Sequence, residues 1–187
     1  MSEFSESYHA YTGNRASVTT MLRAAGVSGF IAASNDRCVS FTIDDAEREP
    51  DVIAAGQGVL ARYYHGEDHG LWIHVYRDGE KLTTIALVWD QDTGDLEEPQ
   101  EDVETPAQIV EKLERAGVLG DAEAEELARV LEAFSPEDPG SCERAAEAVP
   151  RLLGFAAHAW LSSAYVQSSS PEELRDLFPG SEAVEIA

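Results

Sequence analysis

After Trp89 the spacing of apolar residues changes from mostly alternating to mostly helical, and that change constrains the fold more than any motif does. Between Val39 and Trp89 apolar and polar residues alternate: Ser40 and Thr42 separate Val39, Phe41 and Ile43, while Leu71, Ile73 and Val75 interleave with Trp72, His74 and Tyr76. A period of two sends successive side chains to opposite faces of a strand. From Thr105 onward the apolar residues recur every three or four positions, as in Ile109, Val110, Leu113 and Ala116, then Leu127, Val130, Leu131 and Phe134. That is the stripe of an amphipathic helix. The sequence therefore predicts an α+β protein, with an antiparallel sheet or meander and one N-terminal helix followed by an α-helical C-terminal half.

Local signals place the elements. Ser7–Thr12 alternates and reads as a first strand. Asn14 caps a helix over Arg15–Ala25, and Gly26 stops it. Gly29–Ala33 and Arg37–Asp44 read as a hairpin turned by Ser34-Asn35-Asp36. A charged loop (Asp45–Pro50) and a helical turn (Asp51–Gly56) lead to strands at Val59–His65, Leu71–Arg77 and Lys81–Trp89, with Asp78-Gly79 as a hairpin turn. Thr105-Pro106 with Gln108 is a helix start, Asp121 reads as the cap of the next helix, and Ser141 as the start of a third. His158–Val166 alternates and reads as a final strand, and Ser170-Pro171 opens a short last helix. The expected organisation is sheet with one helix over 1–90, an acidic linker or loop over 91–104, and a helical region over 105–187 packed on the sheet as one domain.

Charge follows the same division. The chain of 187 residues has a net charge of −23. Residues 1–90 hold 13 acids and 7 bases, whereas 91–187 hold 23 acids and 6 bases. Asp92, Asp95, Glu97, Glu98, Glu101, Asp102 and Glu104 fall in one stretch without a base. Such a field repels nucleic acid and anionic membrane and attracts a basic protein. Those seven carboxylates are therefore the expected partner-binding residues. A competing explanation is compositional: with two lysines against eleven arginines, the chain has the look of a high-GC or salt-adapted proteome. The polar N-terminus and the lack of a long apolar run predict a cytoplasmic protein with reduced Cys38 and Cys142.

The residues with chemical potential are histidines. Tyr63-Tyr64-His65-Gly66-Glu67-Asp68-His69-Gly70 puts His65, Glu67, Asp68 and His69 around a turn, with His74 just beyond. Imidazoles and carboxylates are ligands for divalent metals, but the glycines favour a hairpin tip of solvated turn residues over a built metal site. His9 lies between Tyr8 and Tyr11 on the first strand. If His9 and His74 face one cleft with Tyr11, Trp72 and Tyr76, the set is a candidate ligand or acid–base site; an aromatic sheet face under a helix is the plainer reading. No phosphate-binding glycine loop, Cys-x-x-Cys, His-Glu-x-x-His, nucleophile elbow or complete calcium loop is present, so no cofactor, catalytic residue or metal is assigned.

Short stretches across the chain resemble a loosely defined set of uncharacterised bacterial proteins. They are Glu6-Ser7-Tyr8-His9, Leu22-Arg23-Ala24-Ala25-Gly26, Gly29-Phe30, Val39-Ser40-Phe41, Glu67-Asp68-His69-Gly70, and Trp160-Leu161-Ser162 followed by Tyr165-Val166. The resemblance implies a shared fold and carries no activity. Three functions remain open at this level. The first is a non-catalytic acidic protein that binds a basic protein, in the manner of an immunity protein or a secretion chaperone. The second is a small enzyme or ligand-binding domain using a His/Tyr/Trp cluster on the sheet. The third is a self-associating interaction module, the oligomeric state being undetermined by sequence.

Overall fold

β1 (Phe4–Ala10) is the centre of a sheet that the rest of the chain builds outward in both directions. The computed structural model describes residues 4–66, 68–90, 104–159 and 161–186. After β1 come α1 (Arg15–Ala25), β2 (Gly29–Ser34), β3 (Val39–Ile43), a 3-10 turn (Ala46–Arg48) and α2 (Glu49–Ala55). The meander β4 (Val59–Gly66), β5 (Gly70–Arg77) and β6 (Glu80–Val88) follows. The second half holds α3 (Pro106–Arg115), α4 (Asp121–Ala133), α5 (Pro139–Leu152), α6 (Ser163–Ser168), α7 (Pro171–Leu177) and the short β7 (Glu182–Val184). The sheet has seven strands in the order β6-β5-β4-β1-β3-β2-β7, and every neighbouring pair is antiparallel. The protein is α+β, as the change of period predicts.

The local signals explain most boundaries. Asn14 accepts a hydrogen bond from the Ala16 N–H, and Gly26 adopts a left-handed conformation (φ 67°) that returns its N–H to the end of α1. Thr105 and Gln108 form a reciprocal capping box at α3. Asp78 and Gly79 both have positive φ, the twist that a tight β5–β6 hairpin requires.

Several boundaries differ from expectation: β1 runs over Phe4–Ala10 and not Ser7–Thr12, and α2 begins at Glu49, inside the stretch read as a charged loop. Asp121 is the first residue of α4, and Gly120 occupies the cap position. α5 starts at Pro139 because the Asp138 side chain caps it, two residues before Ser141. The predicted strand over His158–Val166 does not form. Leu161 is buried there, but the Ser162 side chain accepts the Tyr165 N–H and starts α6, so a cap overrides the alternation. β7 was not anticipated: its three residues are too short to show a period, and pairing with β2 creates it.

Strand register sorts side chains to two sides. On one, Tyr8, Ala10, Val39, Phe41 and Leu60 pack under Val18, Met21 and Leu22 of α1 and Val52 of α2. On the other, Ala61, Tyr63, Leu71, Ile73, Val75, Ile85 and Leu87 pack with Leu113 of α3, Leu127 of α4 and Val149 of α5. At the β2 end of that second side, Phe30 and Ala32 pack with Leu161, Leu174 and Phe178. The β2–β3 turn ties the layers together: the Asn35 amide donates to the Gly154 carbonyl at 3.0 Å, and the Arg37 guanidinium donates to the Val118 carbonyl.

Leu113 is fully buried among sheet and helix residues. Leu113→Ala is expected to cost about 2–5 kcal/mol. Because the helices share this core with β4–β6, tryptophan fluorescence and helical circular dichroism should shift together to lower denaturant. Separate transitions for the two signals would contradict the shared core.

Candidate functional site

The predicted pairing of His9 with His74 does not occur. His9 stands opposite Ala61, and Ala61 opposite Val75, so His9 points to the α3 side. His74 stands opposite Arg62, and Arg62 opposite Tyr8, which places it on the α1 side. An offset of one residue in a pleated sheet reverses the face, so the two histidines lie on opposite sides and share no cleft.

His9 is buried at the sheet centre. Its Nε2 lies 3.0 Å from the Ser7 hydroxyl and its Nδ1 lies 2.9 Å from the Ser40 hydroxyl. A neutral imidazole offers one donor and one acceptor, and the two hydroxyls satisfy both. Ser40 Oγ also accepts the Ala157 N–H at 3.0 Å. The ring stacks on Phe155, with centroids 3.6 Å apart and planes 4° from parallel. Ser7, His9 and Ser40 are each 0% exposed, so this hydroxyl–imidazole–hydroxyl chain is closed to any substrate and serves to fasten the 155–157 segment to β1 and β3. Burial, with His158 nearby, holds the His9 pKa well below its ordinary value.

A second histidine group lies on the same side toward the β4–β5 turn. The Tyr63 ring meets His158 edge-on at 5.6 Å and His65 at 6.3 Å, and His65 meets Trp89 at 5.8 Å. Burial lowers the His158 pKa, with the charge of His65 adding to it. His69 turns away from His65: it stacks on Phe4, and its Nδ1 is 3.1 Å from Asp90 Oδ2. Asp68 is exposed at the turn, and Glu67 lies outside the described residues. No three metal-ligating side chains converge among the described residues.

The α1 side of β4, β5 and β6 is different. α1 and α2 bury their apolar residues over β1, β3 and β2, reaching β4 only at Leu60. Beyond that, Tyr64, His74, Tyr76, Thr84, Ala86 and Val88 are half-buried, and Phe4 is 45% exposed. Phe4 and Trp72 flank Tyr64 at 6.0 and 5.6 Å. Trp72 lies flat because Gly70 has no side chain; a Cβ there would stand 2.7 Å from its ring. His74 Nδ1 is 3.1 Å from the Thr84 hydroxyl. Arg62 crosses the middle and pairs with Glu6 at 2.8 Å and Glu49 at 3.1 Å, so its charge is matched twice over. The surface is an aromatic platform with one internally neutralised arginine and carboxylates around it.

Of the seven acidic residues expected to bind a partner, Asp92, Asp95, Glu97, Glu98, Glu101 and Asp102 lie outside the described residues. Glu104 is described and is engaged: it accepts from Lys112 and from the Thr83 hydroxyl. Desolvation would raise its pKa, but these two partners hold it below its ordinary value. The chain leaves the sheet at Asp90, beside His69 at the platform's corner, and Glu104 meets it again at Thr83. The helical half also has a shallow cleft of about 410 Å³ between α4 and α5, where Arg129, Arg144 and Arg151 gather. Arg144 pairs with Asp138 and Arg151 with Glu126.

Sequence reasoning singled out Trp72, His74 and Tyr76 as one face but missed Phe4 and Tyr64 as its continuation. The signal available was Tyr64 alternating with Arg62 on β4. Compared with known proteins, the chain matches no protein family, no curated protein and no solved structure. Among the described residues no helix is long and apolar enough to cross a membrane.

His9 and His158 are neutral in the folded protein, whereas in the unfolded chain each protonates near its ordinary value of 6.5. Their contribution to stability is complete above pH 6.5 and is lost as pH falls below it, by up to about 1.4 kcal/mol per pH unit for each imidazole. Chemical denaturation at pH 7.5, 6.5 and 5.5 should show this decline. The double variant His9→Gln, His158→Gln should flatten it, and an unchanged slope in that variant would contradict the assignment.

Proposed function

We propose that the chain is a non-catalytic binding protein for a basic protein partner, as an immunity protein or a secretion chaperone is, and that the partner docks on the open α1 side of β4–β6. The observation that carries this reading is the cluster of Phe4, Tyr64 and Tyr76, which is partly exposed and which no described helix packs over, on a sheet whose opposite side is sealed by helices. Aromatic side chains that are half-buried and already packed on one another lose little freedom on binding, which is why Tyr and Trp dominate interface energetics. The net charge of −23 selects the partner's sign and speeds encounter. Glu6 and Glu49 lie within the platform, and Asp90 stands at its corner, where the acidic 91–104 stretch departs.

A pull-down from lysate of the source cells, at low salt, should recover a basic protein. Raising ionic strength to about 0.5 M should release it, since screening then acts over a few ångströms. Tyr64→Ser with Tyr76→Ser should weaken the complex by about tenfold or more while the free protein stays folded by circular dichroism. Recovery unaffected by the double variant would remove the platform from the interface, and recovery insensitive to salt would remove the electrostatic selection.

A further inference from the structure

Arg62 stands on the open side between β1 and β5, and its donors are already spent on two carboxylates. Its Nη2 and Nε donate to Glu6 Oε1 at 2.8 and 3.2 Å, and its Nη1 pairs with Glu49 Oε2 at 3.1 Å. The second oxygen of Glu6, Oε2, accepts from no described residue. Solvent reaches this pair, since the Arg62 and Glu6 side chains are 27% and 30% exposed.

Tyr8 lies directly opposite Arg62 and two residues from Glu6 on the same face of β1. It is 2% exposed, and its hydroxyl is buried without a hydrogen-bond partner. Buried hydroxyls are rarely left so, because the lost hydration is not replaced. Burial raises the Tyr8 pKa, Glu49 and Glu6 add to the rise and Arg62 opposes it, so the same three charges act on this oxygen. The inventory is therefore one-sided. An anion finds the guanidinium occupied, whereas a group rich in N–H donors finds a carboxylate oxygen and a phenol oxygen unused. Tyr64, opposite Glu6 on β4, supplies an aromatic face beside them.

The other bases near this surface do not change the inventory. Lys81 lies on the same side at the β6 edge, opposite Tyr76, and Lys112 is engaged by Glu104 and the Leu82 carbonyl. Glu6 and Glu49 against Arg62 and Lys81 leave these four groups without net charge, so the unused acceptors make the selection. Residues 1–3, 67, 91–103, 160 and 187, which lie outside the described ones, include no Lys, Arg or His. Their side chains cannot supply the missing cation.

We propose that the basic partner anchors itself here with an arginine side chain. Its guanidinium lies against the Tyr64 ring and donates to Glu6 Oε2 and, as the Arg62 side chain shifts, to the Tyr8 hydroxyl. This deepens the docking reading above and rests on it. A planar guanidinium matches two acceptors beside an aromatic face better than a compact ammonium does.

The probe is Nα-acetyl-arginine amide, with the neutral isostere Nα-acetyl-citrulline amide as its control. The arginine compound should shift the Glu6 carboxyl and Tyr8 ring resonances saturably, and the citrulline compound should bind about tenfold more weakly or worse. Glu6→Gln leaves Arg62 paired with Glu49 and should weaken the arginine compound about tenfold or more. Tyr8→Phe removes a hydroxyl that has no partner, so its thermal midpoint should stay or rise while binding weakens several-fold. A purely structural Tyr8 would not separate the two readouts. The proposal is overturned if the resonances do not shift saturably, if citrulline binds as well as arginine, if either variant binds the probe as well as the original, or if Tyr8→Phe lowers the midpoint. The docking reading is judged separately: a basic cellular partner lost through Tyr64→Ser, Tyr76→Ser but retained by Glu6→Gln keeps the platform and removes the arginine anchor.

Discussion

The packing of α3, α4 and α5 against one side of β4, β5 and β6 determines what the remaining surface can be. Once Ile73, Val75, Ile85 and Leu87 are committed to that core, the period of two sends Trp72, His74, Tyr76, Thr84 and Ala86 to the other side. The buried residues of α1 and α2 pack over β1, β3 and β2 and reach β4 at Leu60, while Glu49 of α2 pairs with Arg62. Among the described residues, α1 and α2 pack on one side of the sheet and α3, α4 and α5 on the other, and none of them packs over Tyr64, His74 and Tyr76.

Burial of polar groups follows the same logic. The sealed side contains Ser7, His9 and Ser40, and each buried polar atom of His9 has a hydroxyl partner while Phe155 covers its ring. A buried polar seam of this kind contributes specificity of docking more than net stability, because its hydrogen bonds replace those lost to water. It anchors the 155–157 segment over the centre of the sheet, and the β2–β3 turn fastens Gly154 and Val118 beside it. The open side has the reverse character. Its arginine is held by two carboxylates, and Phe4 and Tyr64 contact each other while remaining partly exposed, with Trp72 buried beneath Tyr64.

Much of this was legible in the sequence, and the rest was not for identifiable reasons. α1 was readable to the residue because Asn14 and Gly26 punctuate it, and the meander was readable because Asp78-Gly79 and the alternation agree. Periodicity also grouped Trp72, His74 and Tyr76 correctly. What periodicity within one strand cannot give is the register between strands: a slip of one residue moves His9 from the side of His74 to the opposite side. The His158–Val166 stretch failed for a related reason, since Ser162 caps a helix in a segment whose alternation mimics a strand. Nothing in the sequence marks His158, because its neighbours Tyr63 and His65 are distant along the chain. The acidity was evident from composition, but composition does not say which surface it serves.

The central claim is that the open side of β4–β6 is the contact surface for a basic partner. Hydroxyl-radical footprinting of the complex recovered at low salt tests it directly. The account predicts that Phe4, Tyr64 and Tyr76 lose reactivity relative to the free protein while α4 and α5 do not. Unchanged reactivity at those three rings, with protection along α4 and α5 instead, would contradict it.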